Sequence, residues 1–182
     1  YTKAFNGLGC DTTVLCDDRF DTCYASKHPK HKILGVSSVR DLKGTEEWIL
    51  KLVKSGEYDV VIPFTEYSAT ILSHHKKELS SYAHLIVNNQ ETFDYAQEKN
   101  NVMKVCMENN LPCPMTIYDA KSVEDILSSN IKFPIILKPR HGFGSHGFHK
   151  IETKAELAPC VEKFDIDISE MVVQECLPIE SL

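Results

Sequence analysis

The side chains best equipped for chemistry crowd into positions 132–151, which read Lys-Phe-Pro-Ile-Ile-Leu-Lys-Pro-Arg-His-Gly-Phe-Gly-Ser-His-Gly-Phe-His-Lys-Ile. Residues 133–137 are a short apolar run with two isoleucines, suited to a buried strand and too short for an ordinary helix. Lys138 closes that run. Pro139 disfavours helical dihedrals at the residue before it, so Lys138 is held extended with its ammonium reaching past the strand. Three of the chain's eight glycines follow, at 142, 144 and 147. Glycines accept positive φ and let consecutive backbone N–H groups converge on an anion. A lysine beside such a loop is equipment for holding phosphate. The Ser145 hydroxyl can donate to a phosphate or satisfy its own turn. His141, His146 and His149 flank the loop at spacings that fix no tetrahedral ligand set, so they read as loop polar groups.

The glycine spacing formally matches G-x-G-x-x-G, the fingerprint of a dinucleotide fold. That fingerprint opens a helix directly, whereas 148–151 reads as a second strand. The next helix signal is Thr153 with Glu156 three residues on, a capping box. The loop is therefore expected on a β-hairpin that folds over a nucleoside triphosphate, with Lys138 offsetting phosphate charge. An ordinary glycine hairpin turn is the plainer alternative.

These residues sit in a chain of 182 residues, 42% hydrophobic and 25% charged, a globular composition with room for one large domain or two small ones. A net charge of −6 and the lack of any lysine or arginine run exclude a nucleic-acid-binding surface. No apolar run approaches the roughly 18 residues of a membrane span, and no signal peptide is visible. The seven cysteines are odd in number and show no C-x-x-C spacing, which reads as reduced thiols in a cytoplasm, with neither a zinc site nor a disulfide framework.

In the first half, strand and helix patterns alternate. Residues 12–16 form a β-rich run ending in Asp17 and Asp18, and 33–36 form another. Trp48, Ile49, Leu52 and Val53 share one face of a helix over 46–55, ended by Gly56. Residues 59–64 are the clearest strand, followed by Thr65 and Glu66. A helix carrying Ala69, Ile71, Leu72 and Leu79 leads to a strand at 84–87. The alternation predicts α/β architecture with a parallel, doubly wound sheet. In such sheets ligands gather beyond the carboxyl ends of the strands, where Glu66 becomes a candidate substrate-binding residue and Asp17 and Asp18 read as solvated loop acids.

Composition shifts at Asn88 and Asn89, dividing the chain into domains 1–88 and 89–182. Helices are expected over 91–97 and 99–110, the second with Val102, Val105 and Cys106 inward. Pro112 and Pro114 force an extended exit into 115–118, a helix with Val123, Ile126 and Leu127 inward precedes the hairpin, and 171–177 is a last strand. Lys99 opens a helix, where a cation opposes the macrodipole; taken alone it is a solvated lysine. The chain starts without methionine at a helix end and stops just after a strand, so it reads as part of a longer enzyme.

In order, Lys99 at a helix start, the Leu111-Pro112-Cys113-Pro114 exit, Phe133-Pro-Ile-Ile-Leu-Lys-Pro, the glycine loop and Val172-Val-Gln-Glu-Cys-Leu-Pro resemble the ATP-grasp superfamily, especially its carbamoyl-phosphate-synthase-like carboxylate–amine ligases. The resemblance covers essentially the whole chain. It implies a Rossmann-like domain over 1–88 followed by the N-terminal lobe of an ATP-grasp fold over 89–182. It also implies ATP as cofactor, with Lys99 and Lys138 on the phosphates and His141, Gly142, Phe143, Gly144, Ser145 and Gly147 in the loop that closes over them. At the hinge it implies Glu175 accepting from the adenine 6-amino group, Cys176 beside it and the Leu177 N–H donating to the ring. The family's hinge continues through a glycine into a ribose-binding glutamate; Ile179-Glu180-Ser181 stands here instead, leaving Glu180 as the ribose ligand, one register off. The C-terminal lobe, which in the family holds Mg2+ through acidic residues, is absent, so no metal ligand is named. The implied reaction forms an acyl phosphate from a small carboxylate and couples it to an amine, releasing ADP and phosphate. A homodimer is among the assemblies the resemblance allows. The alternatives are an ATP-binding module without chemistry and a dinucleotide-binding oxidoreductase.

Overall fold

Short apolar runs broken by capped helix starts dominate the chain, and each becomes a strand or a helix end at that point. The computed structural model describes residues 1–35, 41–142 and 146–177. The chain divides into two units, Tyr1–Phe93 and Asp94–Leu182. The division falls inside a helix, five residues beyond the composition shift at Asn88 and Asn89. Asn89 itself is the start signal of that helix, its Oδ1 accepting from the Thr92 N–H at 2.9 Å.

In the first unit, α1 (Thr2–Gly7) precedes β1 (Thr13–Cys16), α2 (Thr22–Ala25) and β2 (His31–Leu34). β1 and β2 pair in parallel from Thr13 with His31 to Cys16 with Leu34. α3 (Leu42–Lys54) is capped by Asp41, whose side chain accepts from the Gly44 N–H, and it buries Thr45, Ile49 and Val53, one face at a spacing of four. β3 (Val60–Val61) and β4 (His84–Leu85) form a second parallel pair, separated by α4 (Glu66–His74) and α5 (Lys76–Leu79). Ile49, Val53, Ile71, Leu72, Leu79, Ala83 and Leu85 make the core of this unit.

The pairing is parallel, but among the described residues it forms two separate two-stranded ladders instead of one continuous sheet. The run at 59–64 keeps only two ladder residues. Pro63 has no N–H to offer, and Phe64, outside the ladder, meets Tyr1 in a tilted ring contact with centroids 5.1 Å apart.

In the second unit, α6 (Gln90–Gln97) leads into α7 (Lys99–Glu108), β5 (Thr116–Ile117), α8 (Val123–Ser128), β6 (Ile135–Pro139), β7 (His149–Ile151), α9 (Lys154–Lys163), a 3-10 turn at Ile168–Glu170 and β8 (Met171–Glu175). The last four strands form one antiparallel sheet in the order β5-β8-β6-β7. α8 starts on a reciprocal box between Ser122 and Asp125. α9 starts at the expected place, but its Thr153 hydroxyl donates to the Glu156 carboxylate at 2.9 Å and caps no backbone N–H.

Strand side chains alternate between faces, and the register settles which is which. Ile135, Leu137, Ile151, Met171 and Val173 share one face and pack with Ile126 of α8 and Leu157 of α9 into the core. Fully burying a side chain of this size contributes roughly 1.5–3 kcal/mol. The other face carries Thr116, Ile136, Lys138, Lys150, Val172 and Gln174. A sheet with one face in the core leaves its polar side chains together on the second, and the candidate site lies there.

Candidate functional site

β6 holds Lys138 on the polar face, half-buried, with its Nζ donating to Gln174 Oε1 at 2.9 Å. Gln174 is 7% exposed. Its Nε2 donates to Thr116 Oγ1 at 2.9 Å and reaches the Met103 sulfur at 3.1 Å. The Thr116 hydroxyl in turn donates to the Pro114 carbonyl at 2.8 Å. With its proton given to Pro114, Thr116 Oγ1 can only accept, so the Gln174 amide must turn its NH2 to Thr116 and its oxygen to Lys138. Lys138 is thus held by a neutral acceptor and is in no ion pair among the described residues.

Lys99, first residue of α7, approaches the same region. Its ammonium donates to the carbonyls of Arg140 (3.1 Å) and Gly142 (2.9 Å), and its backbone N–H donates to Arg140 O at 3.3 Å. Burial, and then the charge of Lys99, pull the Lys138 pKa below the ordinary lysine value of 10.5. An added anion would offset the repulsion, as loss of the Lys138 proton otherwise does, and would favour the charged form of Lys138. The nearby carboxylate of Glu98 is already taken by His141, with Nε2 and Oε2 2.8 Å apart. Arg140 adds an Nη2 bond to the Tyr118 carbonyl at 3.1 Å, and its Nε is buried without a partner.

The sign of the Lys138 shift gives a test. A folded-state pKa below the unfolded one means the unfolded chain binds more protons in the window between them, so stability rises with pH across that window. The cost of the charged ammonium is full below the folded pKa and fades as pH climbs toward 10.5. An anion favours the charged form, so its affinity should fall as pH rises through the lowered pKa, before ordinary lysines titrate. Phosphate-ligand titrations across the alkaline range, with Lys138→Met as the reference, should show this fall only in the parent chain; a parent profile that follows ordinary lysines would contradict it.

The loop springs from this face between antiparallel β6 and β7. It opens no helix, which removes the structural context a dinucleotide fingerprint needs. Gly142 has φ +111 and Gly147 φ +69. A Cβ on Gly147 would stand 2.8 Å from Cγ of Pro139, so the loop closes by packing its last glycine against the proline that follows Lys138. Phe143, Gly144 and Ser145 lie outside the described residues, as does Glu180.

At the far end of β8, the hinge residues are tied to the sheet. The Glu175 N–H donates to Met115 O at 2.9 Å, while its carboxylate Oε1 accepts from the Met115 N–H at 2.8 Å. The Cys176 N–H donates to Pro134 O at 2.9 Å. The Leu177 N–H makes no hydrogen bond among the described residues, and its side chain is exposed. Glu175 pairs with Ile135 and so belongs to the opposite face from Lys138. The side chain that the sheet sets beside Lys138 is Gln174, a residue absent from the sequence-based candidates. A two-residue count forward from Val172, the lysine's cross-strand partner, would have found it, had the register been known. Glu66 lies in the first unit at the start of α4, exposed, where its charge suits the helix N-terminus and Thr65 is used as the cap in a box with Ser68.

Gln174→Leu should take from the Lys138 ammonium its side-chain acceptor and from Thr116 Oγ1 its donor, and cost about 1–3 kcal/mol. Urea unfolding checks this, and an unchanged midpoint would show the network to be energetically idle.

No family model matches the sequence, and no curated protein matches it. Solved structures do. N5-carboxyaminoimidazole synthetase from Staphylococcus aureus aligns over 98% of this chain and 44% of its own, at 18% identity and a TM-score of 0.69. The biotin carboxylase domain of 2-oxoglutarate carboxylase from Hydrogenobacter thermophilus, solved as a dimer with MgADP and bicarbonate, aligns over 97% and 41%, at 16% identity and a TM-score of 0.66. L-amino acid ligase from Bacillus licheniformis aligns over 94% and 39%, at 15% identity and a TM-score of 0.63. The chain therefore shares the fold of these proteins over about two fifths of their length.

Proposed function

We propose that the chain is the nucleotide-binding part of an ATP-dependent carboxylate–amine ligase, with residues 1–88 as its Rossmann-like domain and 89–182 as the N-terminal lobe of the ATP-grasp fold. The observation that carries this reading is the pairing of Lys138, uncompensated by any carboxylate among the described residues, with Lys99 at the base of a glycine hairpin. Ligases and MgADP complexes among the structures of the same fold support it.

In this reading the ATP phosphates lie against Lys99 and Lys138. Lys99 uses two of its three ammonium donors on the loop carbonyls and has one left for a phosphate oxygen. Lys138 uses one donor on Gln174 and has two left. The loop, with His141, Gly142, Phe143, Gly144, Ser145 and Gly147, closes over the triphosphate. The hinge holds the adenine edge through the second carboxylate oxygen of Glu175 and the Leu177 N–H, with Cys176 between them and Glu180 on the ribose. Glu66 contributes to the substrate site. Mg2+ supplies neutralisation of phosphate charge; among the described residues no acidic group of the second unit is assigned to hold it. Preorganised cations stabilise the charge that develops as a substrate carboxylate takes the γ-phosphoryl group, and loop closure keeps water from the acyl phosphate until an amine attacks. This reading puts the protein in the cytoplasm and allows a homodimer among its assemblies.

The test is ADP release by the protein that carries this chain. Release that requires both a carboxylate and an amine is the expected result. ATP binding without turnover across a broad panel of amino acids and small carboxylates would leave a binding module and overturn the ligase.

A further inference from the structure

The first unit contains a cluster that the nucleotide site does not use. Cys16 ends β1, Asp21 is the N-cap of α2 and Cys23 lies within that four-residue helix. One ligand atom from each lies within 4.8 Å of the others, the one such group among the described residues. The two sulfurs are 3.1 Å apart.

We propose that Cys16, Asp21 and Cys23 form a binding site for a thiophilic divalent cation of the zinc type, with a fourth position open to water.

Two thiolates and a carboxylate suit such an ion, which takes sulfur at about 2.3 Å and carboxylate oxygen at about 2.0–2.2 Å in a tetrahedron. Those bond lengths set neighbouring ligand atoms roughly 3.5–3.8 Å apart, so the sulfurs must separate by about 0.7 Å. Cys16 is fixed, at 1% exposure on a paired strand. Cys23 is half-buried on a single helical turn and can supply the movement. The carboxylate is already oriented: Asp21 Oδ2 accepts from the Asp17 N–H at 2.6 Å and the Asp18 N–H at 3.3 Å. Hydrogen bonds of this kind are what aim a ligating carboxylate at its metal. The neighbouring cation, Lys32, is drawn off by the Tyr24 carbonyl at 2.6 Å. The partial exposure of Asp21 and Cys23 leaves room for the water. A bound ion would clamp the turn at the carboxyl end of β1 to the helix that leads to β2. The site is independent of the proposed ligase activity.

The whole chain, reduced with a phosphine and titrated with Zn2+ against a chromophoric chelator, should bind one equivalent. X-ray absorption at the zinc edge should show two sulfur and two lighter neighbours. Cys23→Ser and Asp21→Asn, both at partly exposed positions, should each weaken binding on the order of tenfold or more, while replacement of Cys10, Cys106, Cys113, Cys160 and Cys176 together by serine should leave it intact. Far-ultraviolet circular dichroism confirms that each variant is folded. No binding, a zinc shell without two sulfurs, affinity unchanged in Cys23→Ser, or loss of binding in the five-serine variant would each overturn the site.

Discussion

Lys138→Met should bind ATP roughly ten- to more than a hundredfold more weakly than the parent chain while unfolding at nearly the same urea concentration. A charge-assisted bond to phosphate is worth about 1.5–3 kcal/mol, which sets the size of the loss. Methionine keeps most of the aliphatic stem, so the packing beside Ile136 survives. The folded state also sheds an ammonium that burial and Lys99 both disfavour, which offsets the donor lost to Gln174 Oε1. The control is Lys104→Met. Lys104 shares helix α7 with Lys99, but it is exposed and spans only an i,i+4 contact to Glu108. Lys150, although on the far strand of the hairpin, shares the polar face with Lys138 and pairs with Glu152 at 2.9 Å, so it is no neutral reference. Calorimetric titration with ATP decides the matter. A Lys138→Met chain that binds like the parent, or one that unfolds, would show the nucleotide site to be wrongly placed.

Gly147→Ala should cost about 2–4 kcal/mol of stability and loosen the hairpin that carries the loop. Two penalties combine. A side chain at φ +69 costs roughly 1–2 kcal/mol. The new Cβ would then stand 2.8 Å from Cγ of Pro139, a ring whose backbone is paired with Met171, so neither partner yields cheaply. Gly56→Ala isolates the first penalty, since Gly56 has nearly the same φ, +72, and a Cβ there meets nothing within 4 Å. Urea unfolding of the two variants should therefore rank Gly147→Ala clearly below Gly56→Ala. Equal midpoints would mean that Pro139 moves aside freely and that the loop does not close on it. ATP affinity should fall with Gly147→Ala as well, because Pro139 directly follows Lys138 and a displaced ring shifts the ammonium.

These two expectations differ in how much of them the sequence already carried. Lys138 was legible because its determinants are local: an apolar run long enough only for a strand, a proline that fixes the preceding backbone, and glycines beyond. The hairpin and the helix starts at Lys99 and Lys154 depend on neighbours within a few residues, and short-range chemistry specifies them, whereas the helix expected over 46–55 begins at Leu42 behind its Asp41 cap. Parallel pairing in the first unit was also legible from the alternation of patterns, but not its extent, since the β3-β4 ladder keeps only two pairs and Pro63 and Phe64 lie outside it.

Tertiary structure decided whatever depends on register or on a turn's path. Strand side chains alternate with a period of two, so a shift of one residue between β6 and β8 exchanges faces. Only the pairing of Ile136 with Gln174 shows that glutamine, and not Glu175, stands beside Lys138. The same pairing places Lys150 on the lysine face. Glu175 finds a backbone partner in Met115, sixty residues away in the chain, which no local pattern encodes. Cys16 and Cys23 match no metal-ligand spacing, yet the turn held by Asp21 folds their sulfurs together. Local pattern marked the residues able to meet an anion, while long-range strand pairing determined which of them meet, and the path of one short turn brought together thiols that no spacing had marked.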